Sequence, residues 1–262
     1  MKLAIHGVTG RMGQSVVRVI SEQPEITLVG AVCAAGDAAL GRDAGEVAGV
    51  GPLGVEISED VSAALLGAQV VIDFSVASQV APLAKLAARA SVALVSGTTG
   101  LDAAAEHALS QAASQVPVLW APNMSLGVQV LAELLELALR RLGPDFDVEL
   151  VELHHRKKLD APSGTAVRLA EAVKQVRPEA REVRGRDGLV GARQSDEIGV
   201  FGVRGGDVVG DHTAYLLGPS ERIELTHRAT DRALFARGAV RAAWFTVGRA
   251  PGRYTIRDVL GG

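Results

Sequence analysis

Short apolar runs rich in β-branched residues alternate with amphipathic stretches through the first half of the chain. Leu3-Ala4-Ile5, Ile26 to Val32, Val70-Val71-Ile72-Asp73-Phe74, Val92-Ala93-Leu94-Val95 and Val116-Pro117-Val118-Leu119-Trp120 read as strands with no wet face. Met12, Val16, Val19 and Ile20 lie on one helical face, and further helices are predicted over Ala77 to Arg89 and Asp102 to Ser114. Strands apolar on both sides, separated by helices, predict a parallel sheet covered on both faces.

The pattern changes near residue 126. Leu126 to Leu142 is a long amphipathic helix stopped by Gly143-Pro144, and Val148 to Leu153 partly alternates, as in a sheet with one wet face. A helix over Thr165 to Val176 precedes three alternating runs, Ile198 to Val203, Val208 to Leu216 and Ile223 to His227. Asp231 to Val247 returns to helix, and its Trp244 and Phe245 suggest packing back onto the first domain. The expected fold class is therefore α/β. A Rossmann-type, doubly wound parallel sheet is formed by 1–125 with 235–262, and 126–234 is a second, α+β domain with a mixed, largely antiparallel sheet. In the doubly wound plan, ligands sit at the carboxyl ends of the strands.

Composition narrows the function classes. The chain has 262 residues, 48% hydrophobic and 22% charged, which suffices for real cores. Aromatics are only 3%, so the cores must rest on Val, Leu, Ile and Ala. A formal net charge of −3 gives no global attraction to nucleic acid or to an anionic membrane, so any anion affinity is local. The single cysteine, Cys33, excludes an intramolecular disulfide and reads as a packed residue in a reducing compartment. No apolar run reaches the roughly 20 residues of a membrane helix, and the glycine-interrupted N-terminus does not read as a signal peptide, so a soluble, cytoplasmic protein is expected.

Gly7-Val8-Thr9-Gly10-Arg11-Met12-Gly13 follows the first strand and opens the first helix, where a dinucleotide fingerprint belongs. Its spacing is not G-x-G-x-x-G: Thr9 takes the second glycine position and the later glycines fall one residue late. Alone, it is also compatible with a tight strand–helix turn that holds no ligand. The acidic residue that usually binds a ribose at the end of the second strand is missing, with Ala34-Ala35 in its place. Asp37 could reach back but reads rather as a solvated loop residue, and Arg11 is available to a 2′-phosphate, so the cofactor is NADPH and/or NADH. Ser96-Gly97-Thr98-Thr99-Gly100 and Ala121-Pro122-Asn123-Met124-Ser125 are two more small, polar strand-end loops, and together the three suit one ligand crevice. The Gly- and Asp-rich stretch from Ala34 to Gly54 is expected to be mobile.

His154-His155-Arg156-Lys157-Lys158 places five basic or potentially basic residues after a strand, just before Ser163-Gly164-Thr165 opens a helix. Mutual repulsion should depress the histidine pKa values and favour a bound anion. The helix start offers backbone N–H groups to a carboxylate. A solvated basic surface is the ordinary alternative. The acidic net charge and lack of aromatics argue against nucleic acid, and adjacent strand histidines face opposite ways, so no metal site is expected. His6, His107, His212 and His227 read as structural or exposed.

These residues resemble the dihydrodipicolinate (4-hydroxy-tetrahydrodipicolinate) reductases. The likeness runs through Gly7 with Gly10 to Gly13, Ile72-Asp73-Phe74-Ser75, Gly97 to Gly100, Asn123 to Gly127 and Glu152 to Ala166, then Gly205 to Thr213 and Thr226 to Ala229. The resemblance implies hydride transfer from a nicotinamide to a conjugated cyclic imine derived from 4-hydroxy-tetrahydrodipicolinate, in lysine and diaminopimelate biosynthesis. It implies that Gly7, Val8, Thr9, Gly10, Arg11 and Met12 hold the pyrophosphate. Gly97, Thr98, Thr99, Ala121, Pro122, Asn123 and Met124 would lie along the nicotinamide half. His155, Ser163, Gly164 and Thr165 would bind a small dicarboxylate, His154 would be the acid/base and Lys158 the stabilising or proton-donating cation. It further implies that 126–234 binds substrate and assembles a homotetramer through its sheet. An aspartate or homoserine dehydrogenase-like enzyme would explain the first domain but not His154 to Thr165. A non-catalytic dinucleotide sensor would explain only the glycine turn.

Overall fold

The apolar runs of the first half pair side by side, all in parallel, in the computed structural model, which describes residues 1–261. The chain divides into two compact units, Met1–Ser125 with the segment from Ala233 onward, and Leu126–Arg232. The first unit begins β1 (Lys2–His6), α1 (Arg11–Ser21), β2 (Thr27–Val32), α2 (Ala44–Ala48), β3 (Ile57–Ser58), α3 (Val61–Ala64) and β4 (Val70–Asp73). It continues through α4 (Ala77–Ala90), β5 (Ala93–Ser96), α5 (Ala103–Ala112) and β6 (Pro117–Trp120). Across the sheet the order is β6-β5-β4-β1-β2-β3, which reverses direction between β1 and β4. This is the Rossmann order, and the reversal is where its ligands bind. β4 and β5 are buried along their whole length, as their unbroken apolar runs predict.

Within the Gly- and Asp-rich stretch from Ala34 to Gly54, the second half is hydrogen-bonded to a single side chain. Asp43 caps α2 and accepts five backbone N–H groups, from Gly45, Glu46, Leu53, Gly54 and Val55, at 2.7 to 3.1 Å. One carboxylate thereby ties together the backbone from Gly45 to Val55.

The second unit contains α6 (Leu126–Leu142), β7 (Asp147–His154), α7 (Gly164–Val176), β8 (Arg181–Val183), β9 (Glu197–Arg204), β10 (Gly210–Gly218) and β11 (Glu221–Ala229). Its sheet, β11-β10-β7-β9-β8, is mixed: β10 runs antiparallel to β11 and β7, while β9 is parallel to β7 and β8. The longest pairing, β10 with β11, is antiparallel. Leu131, Leu135 and Leu139 of α6 and Leu169 and Val173 of α7 bury one face against Val148, Leu150 and Leu216. Each fully buried leucine contributes about 1.5–3 kcal/mol by leaving water. The inward series of β7 reads Val148, Leu150, Glu152, His154, so two polar residues continue an apolar row at its carboxyl end.

The chain then returns to the first unit as α8 (Ala233–Thr246), β12 (Gly252–Tyr254) and α9 (Ile256–Val259). β12 pairs in parallel beyond β6 as a seventh strand. Ala236, Gly238, Ala239, Ala242 and Ala243 form the buried face of α8. Gly238 is required there, since a Cβ would lie 1.8 Å from the Met124 carbonyl oxygen. Packing therefore runs through small residues, and Trp244, expected to pack inward, is exposed. No helix among the described residues is long and apolar enough to cross a membrane.

Candidate active site

In the first unit, Gly7 ends β1 with φ +81°, and a Cβ there would lie 2.6 Å from the Phe74 carbonyl oxygen. At Gly13 a Cβ would lie 2.2 Å from the Gly7 carbonyl oxygen, so turn and helix pack backbone against backbone. α1 starts after Gly10 with no side-chain cap and no acidic residue in its first turn. By contrast α2, α3, α5 and α7 are capped by Asp43, Asp60, Asp102 and Ser163. An uncapped helix start leaves N–H donors and the positive dipole end to an anion, which fits a dinucleotide pyrophosphate.

Asp73, fully buried at the end of β4, knits the surrounding loops together. Its Oδ1 accepts from His6 Nδ1 at 2.8 Å and Ser75 Oγ at 2.6 Å, and its Oδ2 from Ser96 Oγ at 2.7 Å and Thr98 Oγ1 at 2.8 Å. Burial alone would raise this carboxyl, but the hydrogen bonds from His6 and the hydroxyls prevail and hold it below the usual range. Trp120 Nε1 donates to the Thr98 carbonyl oxygen at 2.9 Å, fixing the Gly97-Thr98-Thr99 loop against β6. Val8, Thr98 and Met124 have buried side chains, so these three offer a ligand backbone rather than side chain. Gly10, Arg11, Thr99 and Pro122 are exposed, while Gly7, Thr9, Met12, Gly97 and Asn123 are half-buried and Ala121 is buried.

Asp37 reaches back to the glycine turn rather than standing as a solvated loop residue. Thr9 Oγ1 donates to its Oδ2 at 2.7 Å and the Ala39 N–H to its Oδ1 at 2.9 Å. Those two bonds, the Ala39 N–H first, lower its pKa and place a carboxylate against the glycine turn. Cys33 is buried, and burial pushes its thiol up, as befits a packed residue.

In the second unit, pairing register brings the chemistry together. Glu152 of β7 stands opposite Gly202 of β9 and His212 of β10, and His154 opposite Arg204. Side chains directly across a sheet share a face. The Glu152 carboxylate therefore accepts from Arg204 Nη1 and Nη2, both at 2.8 Å, from the Ser163 N–H at 3.1 Å and from His154 Nδ1 at 2.5 Å. Burial works to raise Glu152, but these donors, Arg204 foremost, hold it below the usual carboxylate range. Burial pushes the His154 pKa down, Glu152 opposes that, and Lys158 and Arg204 add to it. Repulsion within the basic run thus has the expected direction but is secondary to burial.

His212, anticipated as structural or exposed, belongs to this cluster. It is buried, with Nε2 3.0 Å from Ser163 Oγ and its ring edge-on to His154 at 5.2 Å between centroids. Burial drives its pKa down to about 4, so it is neutral near pH 7. Ser163 Oγ also accepts from the Ala166 N–H, which commits that hydroxyl to capping α7. Gly164 and Thr165 carry their N–H groups at the positive end of the helix. His155 Nε2 accepts from Arg232 at 3.1 Å, and its Nδ1 is buried without a partner. Lys158 Nζ donates to both oxygens of Asp160 at 2.8 Å. Arg156 and Lys157 are exposed, so the five-residue run divides between site and solvent. Among the described residues no group of three or more His, Cys, Asp or Glu is arranged to hold a metal ion.

Motif reading missed Arg204 and His212 as functional residues, because only strand register brings them beside His154. Glu152 left a signal: it is the one acid in the inward-facing series of β7.

An open Rossmann helix start in one unit and a buried histidine–carboxylate cluster in the other are in keeping with a nicotinamide-dependent oxidoreductase, the class to which the relatives assign the chain. Residues 1–124 match the family described as dihydrodipicolinate reductase, N-terminus, and 127–260 that described as dihydrodipicolinate reductase, C-terminus. The chain belongs to the dihydrodipicolinate reductase family. It is 48% identical over 263 residues to the 4-hydroxy-tetrahydrodipicolinate reductase of Anaeromyxobacter dehalogenans (strain 2CP-C), covering 99% of this chain and 97% of that one. It is 47% identical over 265 residues to the enzyme of the same name from Myxococcus xanthus, covering 100% and 98%. Among solved structures it shares its fold with a dipicolinate-bound dihydrodipicolinate reductase from Paenisporosarcina sp. TG-14. There the TM-score is 0.79 at 23% identity, covering 97% of each chain. An amine dehydrogenase from Mycobacterium smegmatis has a TM-score of 0.66 at 13% identity, covering 98% and 95%.

Proposed function

We propose that the protein is a 4-hydroxy-tetrahydrodipicolinate reductase, reducing a conjugated cyclic imine to tetrahydrodipicolinate on the route to diaminopimelate and lysine. The observation that carries this reading is His154 held 2.5 Å from the buried Glu152 beside the start of α7. Gly7, Val8, Thr9, Gly10, Arg11 and Met12 bind the pyrophosphate, and Gly97, Thr98, Thr99 and Ala121 to Met124 line the nicotinamide. When bound, NADPH or NADH supplies a hydride. His155, Gly164 and Thr165 receive substrate carboxylates, as does Ser163 through the helix start it caps. The Paenisporosarcina relative was solved with dipicolinate, a planar dicarboxylate. Hydride addition leaves an electron-rich enamine that needs one proton; His154 is the acid/base, and the Lys158 ammonium stabilises the charge. A substrate carboxylate competes with the exposed Asp160 for Lys158.

The first unit is accordingly the dinucleotide-binding domain and the second the substrate-binding and oligomerisation domain. We infer a cytoplasmic homotetramer: α6 and α7 leave the other face of the second sheet for self-association, and the lone cysteine suits a reducing compartment. Light scattering should give about four times 27.2 kDa. The deciding experiment is oxidation of NADPH and of NADH with freshly generated 4-hydroxy-tetrahydrodipicolinate. No turnover with either cofactor overturns the reading.

A further inference from the structure

We propose that Glu152, clamped by Arg204, is a positioning residue that fixes His154 with its proton on Nδ1, so that Nε2 is the atom exchanging protons with the substrate. The inference rests on the reading of His154 as the acid/base. It starts from what a carboxylate can do. An ionised Glu152 has no proton to give, so at 2.5 Å from His154 Nδ1 it accepts and the ring nitrogen donates. Arg204 engages both carboxylate oxygens at 2.8 Å, and a guanidinium does not deprotonate, so this fork keeps Glu152 ionised. A third donor, the Ser163 N–H, ties the same carboxylate to the start of α7. Arg204 also donates to the Asp160 carbonyl oxygen at 2.6 Å, anchoring the loop that carries Lys158.

Room for the arrangement is built into the neighbouring strands. Gly202 faces Glu152, and a Cβ there would lie 3.0 Å from Oε1. Gly210 flanks the free side of the imidazole, where a Cβ would lie 2.9 Å from Nε2. The ring is thus held at Nδ1 and given space at Nε2. The groups facing it are Glu152 on its own strand, Lys158 in the following loop, Arg204 at the end of β9 and His212 on β10. Of these only Glu152 favours the imidazolium. His212 lies edge-on and neutral, and contributes no charge near pH 7.

A purely structural carboxylate would leave tautomer and titration alone, so both are the readouts. In 15N-histidine-labelled holoenzyme, with His154→Gln to assign the signal, neutral His154 should carry its proton on Nδ1. A proton on Nε2 overturns the proposal. Glu152→Gln should lower kcat about 10²-fold while the Kd for NADPH, measured by fluorescence titration, is unchanged. The imidazolium is the proton donor, so kcat falls as pH rises through the His154 pKa. Removing the anion moves that limb to lower pH, whereas Arg204→Gln, which removes a cation, moves it to higher pH. Glu152→Asp, which keeps the charge, should bring the limb back toward the wild-type position. Opposite shifts support the proposal; shifts of one sign, or none, overturn it. If Glu152→Gln does not fold, the tautomer and the Arg204→Gln limb still decide. Wild-type kcat in His154→Gln would overturn the acid/base reading itself. An inactive His154→Gln with an unmoved limb in Glu152→Gln would overturn only the positioning role.

Discussion

Each unit buries one carboxylate at the carboxyl end of a central strand and aims a histidine Nδ1 at it, and the two pairs serve different ends. Asp73 meets His6 at 2.8 Å and fills its remaining positions with the neutral donors of Ser75, Ser96 and Thr98. Every partner lies on a strand end or loop of the dinucleotide half, so this carboxylate is a joint that sets backbone positions. Glu152 meets His154 at 2.5 Å but takes its other donors from a guanidinium and a helix start. With its charge already balanced by Arg204, it can steady a histidine through a change of protonation without the cluster carrying a lone buried charge. Hydroxyl partners make a fixed joint; an arginine partner is what the proposed acid/base role of His154 calls for.

The sharpest way to break this contrast is to remove the second histidine. His154→Gln should lower kcat by about 10³-fold, roughly 4 kcal/mol, with the Kd for NADPH held. A loss of cofactor affinity instead would reverse the assignment. Asp73→Ala should act the other way, costing about 3 kcal/mol of stability in urea unfolding by stranding buried donors, with cofactor binding weakened alongside. An unchanged unfolding midpoint would mean that Asp73 is no joint.

Acid should separate the two regions as well. His212 titrates at about 4 in the folded chain against an ordinary 6.5, so between those values the unfolded chain binds more protons. His212 therefore costs about 3 kcal/mol of stability as pH drops from about 6.5 to about 4, and His154 and His227, also held low by burial, act in the same direction. Asp73 and Glu152, both held low, add their loss only below the ordinary carboxylate range near pH 4. His212→Asn should flatten the upper part of that curve; an unchanged slope between pH 6.5 and 4 would refute the burial argument.

Smaller effects refine the picture. Gly210→Ala should crowd His154 Nε2 and reduce kcat about tenfold, whereas Gly205→Ala, with no atom within 4 Å of its added Cβ, should be silent. Equal effects would mean that space at Nε2 is irrelevant. Asp37→Asn should raise the affinity for NADPH relative to NADH about two- to three-fold, since it removes a half-exposed negative charge beside the glycine turn. A fall in that ratio would show Asp37 to be no obstacle to a 2′-phosphate.

Much of the fold was legible in the sequence because its signals are long or sharply punctuated. Apolar runs marked β1, β2, β4, β5 and β6, and Gly143-Pro144 placed the end of α6 at Leu142. β3, β8 and β12 span only two or three residues, too few to show a period, and they exist because a neighbouring edge accepts them. The helix start around Ser163 and the inward face at His154 could be read from spacing along the chain. Arg204 and His212 could not, because they lie 50 and 58 positions from His154 and meet it by strand register. The Thr9–Asp37 bond was hidden in the same way, as a side-chain bond across 28 positions.

The return of α8 to the first sheet has a consequence for synthesis on the ribosome. Its small-residue face packs with α1 and β5, so the first unit lacks one side of its core until Ala233 and its successors emerge. Making Leu126–Arg232 takes on the order of 5–20 s at roughly 5–20 residues per second, ample time for the second unit, one unbroken segment, to fold. Throughout that interval the nascent first unit lacks the helix that covers those strands, so its core closes only after the second unit has been made.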